Sequence, residues 1–145
     1  MAIGIPTFFT IAADIVKANA TLVTTTLTSK IAANKKQNIK FWIPFTLGAT
    51  GGVRLQILVP AGGTIYLGTI RLNNTVAPLE TIATQLSSAA FTNALANAGT
   101  HWIEGQLTVI NGVTAGNIDI QMAQNTTDAL TLTILKGGVM QVVKF

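Results

Sequence analysis

The sequence contains no cysteine and few charged residues, and these two absences exclude several kinds of protein. Without cysteine the chain cannot form a disulfide or use a thiolate as a nucleophile. Only 10% of its 145 residues are charged, whereas about 25% is typical of a globular domain. We therefore expect either that much of the surface contacts other protein or that uncharged Thr, Asn and Gln cover it.

The residue types that carry catalysis are also scarce. The chain has a single histidine, His101, five acidic residues and no Gly-x-Ser-x-Gly motif. The glycine-rich stretch 48–52 lacks the Gly-Lys-Ser/Thr ending of a phosphate loop. Glu104 and Asp119 could form a carboxylate pair, but two carboxylates alone do not make an active site. We therefore predict a protein that is not an enzyme and has no catalytic residue, cofactor or metal.

No apolar run is long enough to span a membrane. The longest, residues 55–70, falls short of about 20 apolar residues and is interrupted by proline and glycine. Residues 1–20 are apolar, but they lack the basic start of a signal peptide and contain Asp14. We expect residues 1–20 to be a retained N-terminal arm or the first strand, and we expect no membrane association.

Apolar and polar residues alternate with a period of two along much of the chain, which is typical of strands with one buried face. The segments with this pattern are 39–45, 53–59, 103–109, 118–122 and 130–134. Further β-branched or apolar segments at 21–31, 64–72 and 139–145 indicate additional strands. Glycine-rich turn signals separate these segments. The pattern predicts an all-β fold, with residues 21–145 forming one antiparallel, jelly-roll-like β-sandwich.

Two stretches need separate interpretation. Residues 77–99 are rich in alanine, and the spacing of Leu86, Ala90, Phe91, Ala94 and Leu95 predicts either a short helix that ends at Gly99 or an irregular excursion.

The other stretch is "WIEGQLTVI" followed by "NGVTAG" and "NIDIQMAQ", over 102–124. The Asn-Gly pair favours a tight turn, so we predict a hairpin. Gly105 then marks a bulge or a close approach by another chain.

Aromatic and basic residues provide the candidate partner-binding positions. Trp42 and Trp102 both fall opposite an aliphatic row, where they would serve as interface anchors or as a sugar-stacking platform. Phe8 and Phe9 are the best anchors of residues 1–20.

Lysines cluster at Lys30, Lys35, Lys36 and Lys40 in a chain of net charge +4. This patch, with Lys35 and Lys36 at its centre, would meet solvent, an acidic protein surface or nucleic acid. We do not expect nucleic acid, because arginine and aromatic residues are not interleaved with the lysines.

Short motifs across residues 20–145 resemble a β-sandwich module of tailed-bacteriophage virion proteins. The motifs are "IKFWIPFTLGATGGVRLQILVPAGG", Ile103-Glu104-Gly105, Ala115-Gly116, Ala123-Gln124-Asn125 and Lys136-Gly137-Gly138. The chain departs from that module at Gly138, where serine is usual, and in its long 73–99 insertion.

The resemblance implies a structural protein of the virion, made in the cytoplasm of a bacterial host. It implies a homotrimeric capsid decoration (cement) protein at the capsid surface, whose partners are its own copies and the major capsid protein. The alternative is a carbohydrate-binding or adhesive module of a phage fibre or tail. A resemblance at the level of fold is an analogy for function, not a derivation of it.

Overall fold

The computed structural model describes residues 4–48, 52–73, 79–86, 90–93, 98–126 and 131–145. Within these ranges the chain forms twelve β-strands and no helix, and hence no helix that could span a membrane. The strands are β1 (Thr7–Thr10), β2 (Ile15–Lys17), β3 (Val23–Ile31), β4 (Lys36–Leu47), β5 (Val53–Leu58), β6 (Thr64–Asn73), β7 (Leu79–Leu86), β8 (Ala90–Asn93), β9 (Gly99–Ile110), β10 (Gly116–Gln124), β11 (Leu132–Ile134) and β12 (Val139–Lys144).

The described strands form two antiparallel sheets. The large sheet has eight strands in the order β1-β12-β4-β9-β6-β7, with β11 beside β4 and β2 beside β11. The small sheet has the order β3-β10-β5-β8. This arrangement confirms the predicted all-β antiparallel sandwich.

The alternation of apolar residues places one side of each long strand in a shared core. Ile39, Ile43 and Phe45 of β4 are fully buried, and so are Ile118 and Ile120 of β10. Each fully buried aliphatic side chain of this size stabilises the fold by roughly 1.5–3 kcal/mol relative to an exposed one. The core therefore lies between the two sheets, and the other side of each sheet faces outward.

The prediction of a helix within 77–99 is wrong where the structure describes that stretch. Residues 79–86 form β7, which pairs with β6, and residues 90–93 form β8, which pairs with β5. Ladder hydrogen bonds along two sheet edges outweigh the modest helix preference of alanine. Ala94 and Leu95 lie outside the described residues.

The predicted hairpin over 102–124 is also wrong. β9 belongs to the large sheet and β10 to the small sheet, so the turn between them crosses the sandwich. Asn111 fixes this crossing: its backbone N–H donates to the Lys35 carbonyl, and its side-chain amide donates to the carbonyls of Ala32 and Thr114. The Asn-Gly pair therefore serves a connection between sheets and not a tight hairpin.

Gly105 makes room for a contact within this chain. The sequence instead predicted that it marks a bulge or a close approach by another chain. It lies opposite Phe41 in an unbroken β4–β9 register. A Cβ at Gly105 would overlap the ring of Phe41. The absent side chain makes room for this ring, which is itself buried.

The N-terminal segment forms the outermost strands of the large sheet. β1 pairs with β12, and β2 pairs with β11. Between them Ile11 is buried over Gly138, where a Cβ would lie 2.6 Å from the Ile11 Cδ1 atom. Glycine at this position, where the phage module usually has serine, leaves room for Ile11.

Candidate interaction surfaces

The outward side of the large sheet, which we call the large-sheet outer face, carries several apolar side chains among threonine, asparagine and glutamine. Its exposed or half-buried apolar members are Phe8, Val16, Trp42, Pro44, Tyr66, Trp102, Val139 and Val143. Phe8 is 64% exposed and Trp42 is 39% exposed. Large aromatic side chains left in water at this level are typical of residues that contact a partner.

The strand register explains why the two tryptophans share this face. Trp42 lies opposite Glu104, and Pro44 lies opposite Trp102, so the tryptophans are diagonal neighbours across β4 and β9. Diagonal positions are about 7–8 Å apart, which is within reach of aromatic side chains. The tryptophans thus lie where the sequence alternation places them, and their role as partner anchors stays a prediction.

Few charges interrupt the large-sheet outer face. Lys40 lies between Gln106 and Gln141 in the register, and Glu104 lies opposite Arg71. The face therefore carries both signs of charge, and its cations Lys40 and Arg71 outnumber the anion Glu104. Its apolar side chains suit it to packing against protein.

The outward side of the small sheet, the small-sheet outer face, has a different character. Its described side chains are mostly hydroxyls and amides: Thr24, Thr26, Thr28, Gln56, Asn117 and Gln121. Asp119 accepts a hydrogen bond of 2.6 Å from the Thr28 hydroxyl. Leu58, at the end of β5, is the large hydrophobic side chain exposed here among the described residues.

The two phenylalanines of β1 point to opposite sides of the large sheet. Phe8 lies opposite Gln141 on the outer face, whereas Phe9 lies opposite Met140 and packs against the core. Of the two predicted anchors, Phe8 is therefore the one available to a partner, and Phe9 holds β1 on the sandwich.

The second candidate surface is a cleft of about 440 Å³ at one end of the sandwich, which we call the lysine cleft. Lys30, Lys35, Lys36 and Lys144 line it together with Ala32, Gln37 and Phe145. All four lysines are exposed, and no side-chain carboxylate is among the lining residues. Lys40, which the sequence grouped with this cluster, lies on the large-sheet outer face instead.

Lys144 is the member of the cleft that the sequence did not predict. It lies more than a hundred positions from the other lysines but opposite Gln37, because β12 pairs with the start of β4. Only knowledge of that long-range pairing could have placed it there, since adjacent strands need not be close in sequence.

His101, Glu104 and Asp119, the residues that could have carried catalysis, do not come together in the structure. His101 is fully buried, with its ring centroid 5.6 Å from that of Phe45. Glu104 is on the large-sheet outer face, and Asp119 is on the opposite side of the molecule. The suggested Glu104–Asp119 pair is thus absent, because β9 and β10 are in different sheets. In the part of the chain that the structure describes, no group of three His, Asp or Glu side chains could hold a metal ion.

Comparisons with known proteins give structural similarities alone. No family model matches the chain, and no curated protein matches it. Among solved structures it is similar to the VP2 subviral particle of infectious bursal disease virus, with 12% identity, 96% of this chain and 39% of that chain covered, and a TM-score of 0.26. It is also similar to the Gx strain structure of that virus, with 14% identity, the same coverage of both chains and a TM-score of 0.28. The chain spans about two-fifths of the length of these structures, and TM-scores of that size carry no argument about function.

Proposed function

We propose that this protein is a structural component of a virion: a homotrimeric decoration protein on the capsid surface that binds and stabilises the shell of the major capsid protein. The observation that carries the proposal is the large-sheet outer face. It holds most of the exposed large hydrophobic side chains of the described strands. A lone soluble domain with so little charge would leave this face in water, whereas a trimer or a shell would cover it.

Two further features support the same function. The motifs across residues 20–145 resemble the sandwich module of tailed-phage virion proteins, which supports a phage particle as the location. The described strands of the sandwich are paired in two sheets over one core. A shell protein needs a folded body of this kind that keeps its shape when it binds the capsid lattice.

The test has two parts. Light scattering on the full chain should give three times the 15.2 kDa mass of one chain. Shells lacking the protein, taken from the virus that encodes it, should bind the added chain to saturation and rupture at a higher temperature. A monomer that leaves the rupture temperature unchanged would contradict the proposal.

One observation favours a second candidate, the carbohydrate-binding module. Trp42 and Trp102 are diagonal neighbours, the first exposed and the second half-buried, and aromatic side chains on a surface can stack against sugar rings. A glycan array tests this directly: binding that is lost in both Trp42→Ala and Trp102→Ala would support it. An array without any bound glycan, together with a trimer, would leave the decoration protein as the function.

A further inference from the structure

We propose that the lysine cleft is a docking site for an acidic peptide segment of the protein that this chain binds. The source of that segment, the shell, rests on the proposed function, whereas the site itself rests on the cleft alone. The cleft gathers four of the nine basic residues of the chain around one cavity. The lining side chains carry four positive charges and no negative one, which favours an anionic ligand.

The backbone that presents these lysines is held at several points. The Lys30 carbonyl accepts a hydrogen bond of 2.7 Å from the Gln37 side chain, which is itself buried and contacts the Ser29 hydroxyl. The Lys36 carbonyl accepts one of 3.0 Å from the Phe145 N–H.

The turn that carries Lys35 is held in the same way by hydrogen bonds to the connection between β9 and β10. The Lys35 carbonyl accepts a hydrogen bond of 2.9 Å from the Asn111 N–H, and the Asn34 N–H donates to the Gly112 carbonyl at 2.8 Å. The backbone that carries these lysines is therefore already ordered before a ligand binds, so that only side chains lose conformational freedom on binding.

The shape and lining of the cleft favour a peptide over nucleic acid. A concave cavity of about 440 Å³ accepts a few side chains but not a duplex. Its walls contain no arginine for bidentate phosphate contacts and only one aromatic ring, that of Phe145. Ala32 and the half-exposed Phe145 offer apolar contacts to the aliphatic residues that accompany carboxylates in a peptide.

The experiment compares two variants with the same net charge. Lys30→Gln with Lys35→Gln removes two charges from the cleft, and Lys17→Gln with Lys136→Gln removes two charges that lie on neither the cleft nor the large-sheet outer face. The probe is a fluorescent synthetic peptide rich in Glu and Leu, and anisotropy measures its affinity at low salt and at about 0.15 M ionic strength. The cleft variant should bind it roughly three- to thirty-fold more weakly than the original chain, and the control less than two-fold more weakly.

Several results would overturn the proposal: equal losses in the two variants, equal binding of a peptide with Gln in place of Glu, or no binding at all. Tighter binding of single-stranded DNA through the same lysines would identify the cleft as a nucleic-acid site instead. An assay of shell binding distinguishes a failure of this docking site from a failure of the proposed decoration function. A cleft variant that binds shells undiminished would refute the docking site alone, whereas a chain that binds the peptide but no shell would refute the decoration function alone.

Discussion

The outer faces of the two sheets follow the same alternation of apolar and polar residues. They differ in the uncharged side chains that cover them. The small-sheet outer face carries mostly threonine, asparagine and glutamine, which hydrogen-bond with water without carrying charge, and its charged side chains among the described residues are Lys30, Arg54 and Asp119. The large-sheet outer face instead exposes aromatic and aliphatic side chains, among them Phe8 and Trp42. The structure therefore shows the uncharged polar covering on the small sheet, whereas contact of the large sheet with other protein stays a prediction.

This difference teaches that composition averaged over a chain can hide two surfaces with opposite roles. A polar, neutral face is well hydrated, so covering it with protein gains little free energy. An apolar face of the same area gains free energy when it is covered. The large sheet is thus the side on which we expect assembly, and the small sheet is the side left to solvent.

We expect the largest effect on assembly from truncating one side chain on each outer face. Trp42 and Leu58 are matched, at 39% and 38% exposed. Trp42→Ser should weaken the trimer by about 2 kcal/mol or more per contact, or roughly thirty-fold in affinity, because tryptophan at the centre of an interface is a typical hot spot. Leu58→Ser should leave the assembly intact.

Light scattering across a dilution series measures both variants, and thermal unfolding verifies that both remain folded. Equal behaviour of the two variants would remove the distinction between the faces.

A second prediction separates folding from assembly. Gly105→Ala should destabilise the fold by about 1–3 kcal/mol, because the new Cβ overlaps the buried ring of Phe41. Chemical denaturation measures the loss. Phe41→Leu in the same chain should recover part of it, so that the two changes are non-additive. A Gly105→Ala chain of unchanged stability would mean that Phe41 can move aside without cost.

The sequence predicts the faces of the strands well, because alternation is a local property. Ile43 and Trp42 are neighbours in the chain, and their side chains must point to opposite sides of any strand. The same reasoning assigns Ile103 to the core and Trp102 to the outside without knowledge of the partner strands.

What the sequence does not reveal is which strands pair. The turn after Ile110 has the residues of a hairpin, but two of the hydrogen bonds of Asn111 go to the β3–β4 turn, some eighty positions earlier. The separation of Glu104 from Asp119 and the addition of Lys144 to the lysine cleft both follow from such distant pairings. Residues 79–86 were misread for a related reason, since pairing with the neighbouring strand β6 outweighs the local helix preference that the wider stretch 77–99 indicated.

The smallest expected effect compares one hydrogen bond on each face. The hydroxyl of Thr28 donates to Asp119 across the small sheet, and the hydroxyl of Thr108 donates to Asn38 across the large sheet, at 2.6 and 2.8 Å. Thr28→Val should cost about 1 kcal/mol of unfolding free energy, because a carboxylate that is partly buried loses a donor. Thr108→Val should cost less, since the Asn38 amide is exposed and neutral and water can replace the lost donor.

Thr108→Val also adds a methyl group to the face that we expect a partner to cover. Denaturation at high dilution should therefore show a small loss or none, while the affinity of the trimer holds or rises. If Thr108→Val cost as much unfolding free energy as Thr28→Val, water would not replace the lost donor on the large sheet, and the two faces would not differ in what a hydrogen bond contributes to stability.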